Sequence, residues 1–237
     1  MTSFSANLGF LWTDRSLADA IHAAAKAGFD AVECHWPYDQ DAGDVKAALA
    51  ATGLSMLGLN APRGDGTLGE NGLAALAGRE DAARDSIDAA LDYADAIDAS
   101  NIHVLSGFAS GEAAEACFIE NLRYATTAAA VRGRSILIEP LNQYDAPGYF
   151  LNHTDQARRI IEAVGAANLK LMFDCYHIQI LEGDLTRRLS ANLDITGHIQ
   201  FAGVPSRGRP DDGEINYRHI FAHIAEIGYD APLGAEY

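Results

Sequence analysis

The sequence predicts an α/β protein built as a (β/α)8 TIM barrel, and three observations carry that prediction. Short apolar runs of strand type alternate with helical periodicities along the chain, eight of the first and seven of the second. The chain has 237 residues, the size of one such barrel, so residues 1–237 read as a single domain. No glycine-rich dinucleotide fingerprint follows any strand, which removes the main support for an open doubly wound sheet.

Residues 4–10 make the first strand, and 16–27 a helix with Leu17, Ile21, Ala24 and Ala25 on one face, ended by Gly28. Residues 31–36 form the second strand, 44–51 the second helix with Gly53 behind it, and 54–60 the third strand. A glycine-rich connection over 61–78 is far longer than the usual ~4 to 6 residues and reads as a lid or binding loop. The helix over 79–98 carries Ala83, Ile87, Ala90, Leu91, Ala94 and Ile97 on its inner stripe, and 101–106 is the fourth strand. Then come a helix over 112–131, a fifth strand over 135–139, a turn-rich loop and a helix over 154–164 with Ala157, Ile160, Ile161 and Val164 inward. The sixth strand, 169–174, leads into a helix over 177–189, and the seventh strand, 196–201, into a second long loop over 202–214. A helix over 217–227, with Ile220, Phe221, Ile224 and Ile227 at helical spacing, precedes the eighth strand, 232–237. A complete barrel would close with an eighth helix, which is missing at the C-terminus. The expectation is that the sequence is truncated there, or that the flank between the first and seventh helices is exposed or filled by a neighbour, which makes a homo-oligomer, a dimer or tetramer, plausible.

Composition narrows the function. A formal charge of -16, from 33 acidic against 17 basic residues, repels phosphate backbones and anionic lipid, so neither nucleic acid nor a membrane is expected as a partner. Cys34, Cys117 and Cys175 are odd in number and lack paired zinc-type spacing, which fits free thiols in a reducing compartment. With no signal-like N-terminus and no apolar run of membrane-spanning length, the expected location is cytoplasmic.

Four successive strands end on groups that can ligate a hard cation: Glu139, Asp174, Gln200 and Glu236. In a barrel the C-terminal strand ends share one mouth. Three carboxylates crowded there repel one another unless a cation lies between them, and oxygen-only donors favour Mg2+ or Mn2+ over zinc. Taken singly, each is as readily a solvated loop-edge carboxylate; together they point to a site. His177, three residues after Asp174, is placed to reach the same mouth and donate to a substrate oxygen, against the alternative of a helix-start histidine facing solvent. Arg207, on a long loop in an acidic protein, is the best local cation for an anionic substrate, against the alternative of a solvated loop arginine. His103 and His198 read as buried barrel histidines, and Phe10, Trp12 and Trp36 as walls of a pocket or as packing. Cys175 has no base partner at a telling spacing and is not a nucleophile candidate.

The chain also resembles a known family along nearly its whole length. The likeness runs through Phe4-Ser-Ala-Asn-Leu8, Ala27-Gly-Phe-Asp-Ala-Val-Glu33, Pro37-Tyr38, Gly78-Arg-Glu80 and Ile138-Glu-Pro-Leu-Asn142. It continues through Pro147-Gly-Tyr-Phe150, Gly183-Asp-Leu-Thr186, Gly234-Ala-Glu-Tyr237 and, most specifically, Pro210-Asp-Asp-Gly-Glu-Ile-Asn-Tyr217. These resemble the hydroxypyruvate isomerases and 2-oxo-tetronate isomerases among the xylose isomerase-like barrels. The resemblance puts Glu139, Asp174, Gln200 and Glu236 on the family's metal positions, and Glu139 and Glu236 also on its proton-transfer pair. Gln200 stands where the related ketose 3-epimerases carry a histidine. The sequence departs from the family at Cys34, His35 and Trp36, where relatives tend to be apolar and which bears on substrate size, and in lacking the eighth helix. The implied activity is metal-dependent isomerisation of a small anionic 2-oxo acid, hydroxypyruvate to tartronate semialdehyde, through an enediolate. A ketose 3-epimerase, a 2-oxo-tetronate isomerase and a non-catalytic sugar-acid binding protein are the alternatives.

Overall fold

A computed structural model describes residues 2–237, and its strands all run parallel in one sheet. In chain order the elements are β1 (Phe4–Asn7), α1 (Leu17–Ala27), β2 (Ala31–Glu33), α2 (Ala42–Thr52), β3 (Ser55–Met56), β4 (Gly58–Asn60), α3 (Glu80–Ile97) and β5 (Asn101–His103). There follow α4 (Glu112–Ala130), β6 (Ser135–Ile138), α5 (Thr154–Val164), β7 (Leu169–Asp174), α6 (Cys175–Leu181), α7 (Leu185–Asn192), β8 (Thr196–Phe201), α8 (Tyr217–Glu226) and β9 (Leu233–Ala235).

The strand order β3-β2-β1-β9-β8-β7-β6-β5-β4 begins and ends on two halves of the predicted third strand. Only Leu57 separates them. Its N–H donates to Val32 O at 2.7 Å on one side, and its carbonyl accepts from Asn101 N–H at 3.0 Å on the other. One interrupted strand therefore closes the barrel, and the expected eight-strand architecture holds with that strand in two pieces.

The other differences have local causes. The first, second and fourth strands end at Asn7, Glu33 and His103, earlier than their apolar runs, although the next residues, Leu8, Cys34 and Val104, are buried and their N–H groups still donate to Glu33, Gly58 and Leu137 of the neighbouring strands. The helix expected over 177–189 is two helices, which raises the count from seven to eight. It starts at Cys175, directly after β7, and breaks at Gly183 and Asp184, both with positive φ (65° and 49°).

Helix faces follow the predicted periodicity. Every predicted inner residue of α3 is buried, and Ser16 and Asp41 cap α1 and α2 by accepting from backbone N–H groups of their first turns. On α1 the buried alanines are Ala20 and Ala24, with Ala25 at the edge; Val164, Phe221 and Ile227 likewise sit at the margin of the core. Between helices and strands the core is aliphatic, but inside the barrel it is polar. Ser5, Asn7, Glu33, His103, His198 and Gln200 are all buried there. Buried polar groups are costly unless partnered, so this interior is a network that supports the mouth above it.

Candidate active site

The parallel register brings the four strand-end residues together. Asp174 pairs with Gln200 and Gln200 with Gly234, so β7, β8 and β9 deliver Asp174, Gln200 and Glu236 at adjacent strand ends, with Glu139 just past the end of β6. Glu139, His177, Arg207 and Glu236 line one cavity of about 320 Å3, walled by Phe10 and Trp36. A larger groove of about 800 Å3, beside Phe108 and Arg159, holds none of these residues, and the carboxylate in its lining is the surface Asp155. Trp12 lies outside the smaller cavity.

Asp174 is placed by helix capping. Its Oδ1 accepts from Tyr176 N–H at 2.8 Å at the start of α6, while Oδ2 has no hydrogen-bond partner and lies 3.7 Å from His177 Nε2. Capping thus leaves one carboxylate oxygen for the site. Glu139 Oε1 and Gln200 Oε1 are also buried without partners. Unpaired buried acceptors are costly by themselves, and a cation is one partner that would satisfy them.

Glu236 is held from several sides. Its Oε1 accepts from Asn7 Nδ2 at 3.0 Å and lies 3.2 Å from His35 Nε2, and its Oε2 accepts from Arg207 Nη2 at 2.9 Å. Burial pushes its pKa up, but Arg207 and the His35 hydrogen bond outweigh it and bring the carboxyl down to about 2. Glu139 goes the other way. Burial, then the charges of Glu236 and Asp174, hold it well above the usual carboxylate range. Asp174 is raised to about 7, by burial first and Glu236 second.

His177 is 2% exposed, and its tautomer follows from geometry. Asn142 N–H donates to Nδ1 at 3.1 Å; a backbone N–H can only donate, so Nδ1 carries the lone pair and the proton is on Nε2. Nε2 lies 3.9 Å from Glu139 and 3.7 Å from Asp174. Burial, with Arg207 next, lowers its pKa to about 3, so the ring is neutral. Glu139, Asp174 and His177 each offer an atom within 4.8 Å of the others, a group able to hold a metal ion. In the tautomer fixed by Asn142, His177 presents an N–H rather than a lone pair, which suits hydrogen bonding to a substrate oxygen.

Arg207 has φ 52° and is sandwiched between the rings of Phe10 and Tyr176, at 4.6 and 4.9 Å from their centroids. Burial alone would lower its pKa, but Glu236 and Asp174 raise it, so it stays charged. Of the six residues singled out from the sequence, Glu139, Asp174 and His177 lie within ligand reach of one another, Arg207 joins Asp174 to Glu236, and Gln200 pairs with Asp174 in the ladder and lies outside the cavity. Sequence reasoning gave no site role to Asn7, His35, Glu33 or Asn142. Asn7 and Glu33 end their strands as Asp174 does, a signal that short strands hid. His103 and His198 are buried in the barrel, as expected from the sequence.

The family model for xylose isomerase-like TIM barrels matches residues 21–237. The 2-oxo-tetronate isomerase of Cupriavidus necator is 46% identical over 241 residues, spanning 100% of this chain and 93% of that protein. Hydroxypyruvate isomerase of Escherichia coli is 40% identical over 242 residues, again spanning 100% and 93%. A crystal structure described as an AP endonuclease, family 2, from Brucella melitensis superposes with a TM-score of 0.96 at 40% identity, covering 100% of this chain and 93% of that one. The two isomerase relatives agree with the sequence likeness, and the chain belongs to the xylose isomerase-like TIM barrel family, as an isomerase of its hydroxypyruvate and 2-oxo-tetronate isomerase group.

Proposed function

We propose that the protein interconverts the ketone and aldehyde forms of a short anionic 2-oxo acid, hydroxypyruvate and tartronate semialdehyde being the pair we favour. The observation that carries this reading is a pair of buried glutamates, Glu139 and Glu236, lining one small cavity, with burial pushing the carboxyl of Glu139 up and Arg207 and His35 pulling that of Glu236 down. Isomerisation needs that pair: one group takes a proton from the carbon beside a carbonyl, and the other delivers one to the neighbouring site.

Glu236 acts as the base, because Asn7, His35 and Arg207 all hydrogen-bond its carboxylate. Glu139, which has no such donors, is its partner in the proton transfer. Arg207, its guanidinium fixed between two rings, anchors the substrate carboxylate, and His177 Nε2–H orients a substrate oxygen. Glu139, Asp174, Gln200 and Glu236 would hold a divalent ion, Mg2+ or Mn2+ by the all-oxygen donor set. When bound, the ion supplies positive charge where the enediolate oxygens build negative charge. The cavity of about 320 Å3 suits a substrate of three or four carbons.

A second substrate, a 2-oxo-tetronate, is favoured by the 46% identity to the Cupriavidus necator enzyme. We also propose a cytoplasmic location, supported by three buried free cysteines, no nucleic-acid or membrane partner, and a homo-oligomer whose size sedimentation velocity would read. No helix among the described residues is long and apolar enough to cross a membrane. The test is deuterium uptake from solvent into hydroxypyruvate and into 2-oxo-tetronates, with Mg2+ or Mn2+ added. Exchange and aldehyde formation are expected; tight binding of both acids without exchange would mean a binding protein.

A further inference from the structure

Beneath the mouth lies a carboxylate that the reaction does not use. Glu33, at the end of β2, is 5% exposed and reaches through the barrel interior to β8, three places along the sheet. Its Oε2 accepts from Gln200 Nε2 at 3.2 Å and lies 2.9 Å from His198 Nε2; its Oε1 is 3.5 Å from Ser5 Oγ. Gly234 makes the room. A Cβ there would overlap Glu33 Oε1 and stand 2.8 Å from Gln200 Cγ.

We infer that Glu33 is a positioning residue that selects which end of the Gln200 amide faces the ion. This rests on the reading of Gln200 as an oxygen donor. The two ends of an amide are alike in size but opposite in chemistry: the oxygen can ligate a cation and the NH2 cannot. Oε2 of Glu33 accepts from Gln200 Nε2, so the NH2 lies toward Glu33 and Oε1 is left buried, without a partner, on a strand flanked by Asp174 and Gly234. Turned over, the amide would set its oxygen against Oε2 of Glu33 and put two N–H groups toward the ion. A glutamine ligand therefore needs a fixed acceptor behind it, and Glu33 is the group that reaches Gln200 Nε2.

The test is a double-mutant cycle read on Mn2+ affinity, from the electron paramagnetic resonance signal of free Mn2+, for wild type, Glu33→Ala, Gln200→Ala and the double variant. Circular dichroism without Mn2+ checks folding. Each single change is expected to weaken binding about tenfold or more, and the double variant to bind about as weakly as Gln200→Ala alone, because Glu33 acts through that residue. A merely structural role would weaken binding equally in both backgrounds. Wild-type affinity in Glu33→Ala, or additive losses, would overturn the inference. Should Glu33→Ala fail to fold, the near-isosteric Glu33→Gln takes its place in the cycle. Its amide can offer either end to Gln200, so a smaller loss is expected, again absent when residue 200 is alanine. Unchanged binding in Gln200→Ala would remove Gln200 from the ion's donors and end the inference at that point, a result distinct from one that implicates Glu33 alone.

Discussion

Asp174 shows how one residue can serve fold and site together. One oxygen starts α6 and the other is left without a partner, so replacing it would cost a cap and, on the proposed reading, a ligand at once. The two glutamates separate more cleanly. Glu139→Gln and Glu236→Gln each keep side-chain size while removing proton transfer, and each is expected to lower kcat by about 10^2 to 10^4, the usual worth of a general acid or base. Unchanged circular dichroism would accompany the loss, and near-wild-type turnover in either variant would remove that residue from the reaction. The crowded carboxyls also set a pH dependence. Asp174, raised to about 7, holds a proton at pH 6 that a cation must displace, and the upward shift of Glu139 acts in the same direction. His177 and His103, lowered to about 3 and about 4, stay neutral and contribute no proton at that pH. Mn2+ affinity should therefore rise between about pH 6 and 8, by up to about tenfold per pH unit for each proton released. Calorimetric titration at the two ends of that range would show it, and a flat profile would count against carboxylates as the donors.

At the scale of elements, α6 is the unit that joins strand and site. It begins at Cys175 with no intervening loop, which locks the first-turn His177 over the end of β7. The sequence places that helix correctly in kind but late in start and too long, since an apolar strand running straight into a helix offers no polar punctuation. Its break was legible in Gly183-Asp184, a turn-forming pair. The split of the third barrel strand was not, because nothing in Ser55-Met-Leu-Gly-Leu-Asn60 distinguishes a continuous ladder from an interrupted one. The outer helices were legible because a stripe at helical spacing must be buried wherever the helix packs. Ile87, fully buried at the centre of the α3 stripe, tests that packing: Ile87→Ala should cost about 2 to 5 kcal/mol in urea unfolding. A loss below about 1 kcal/mol would place α3 off the barrel.

For the whole molecule, an acidic chain concentrates buried carboxylates at one end of its barrel. A divalent ion that binds only the folded form should stabilise it. At about 100 times its dissociation constant Mn2+ would add about 2.7 kcal/mol, or about 5 to 10 °C in Tm for a chain of this length. A scan at pH 8 with Mn2+ and with a chelator would measure the difference, and equal Tm values would contradict a shared ion. By itself the sequence determined the barrel class, the alternation of elements and the polar residues at four strand ends, because burial periodicity and the residue closing each strand are local properties of the chain. Only the tertiary structure decided that Arg207, on a loop, bonds Glu236, that His177 presents Nε2–H, and that Glu33 stands behind Gln200. Those contacts join residues 29, 35 and 167 positions apart, and hydrogen-bond direction and the charge balance of buried groups exist only once closure of the barrel has brought such residues within reach.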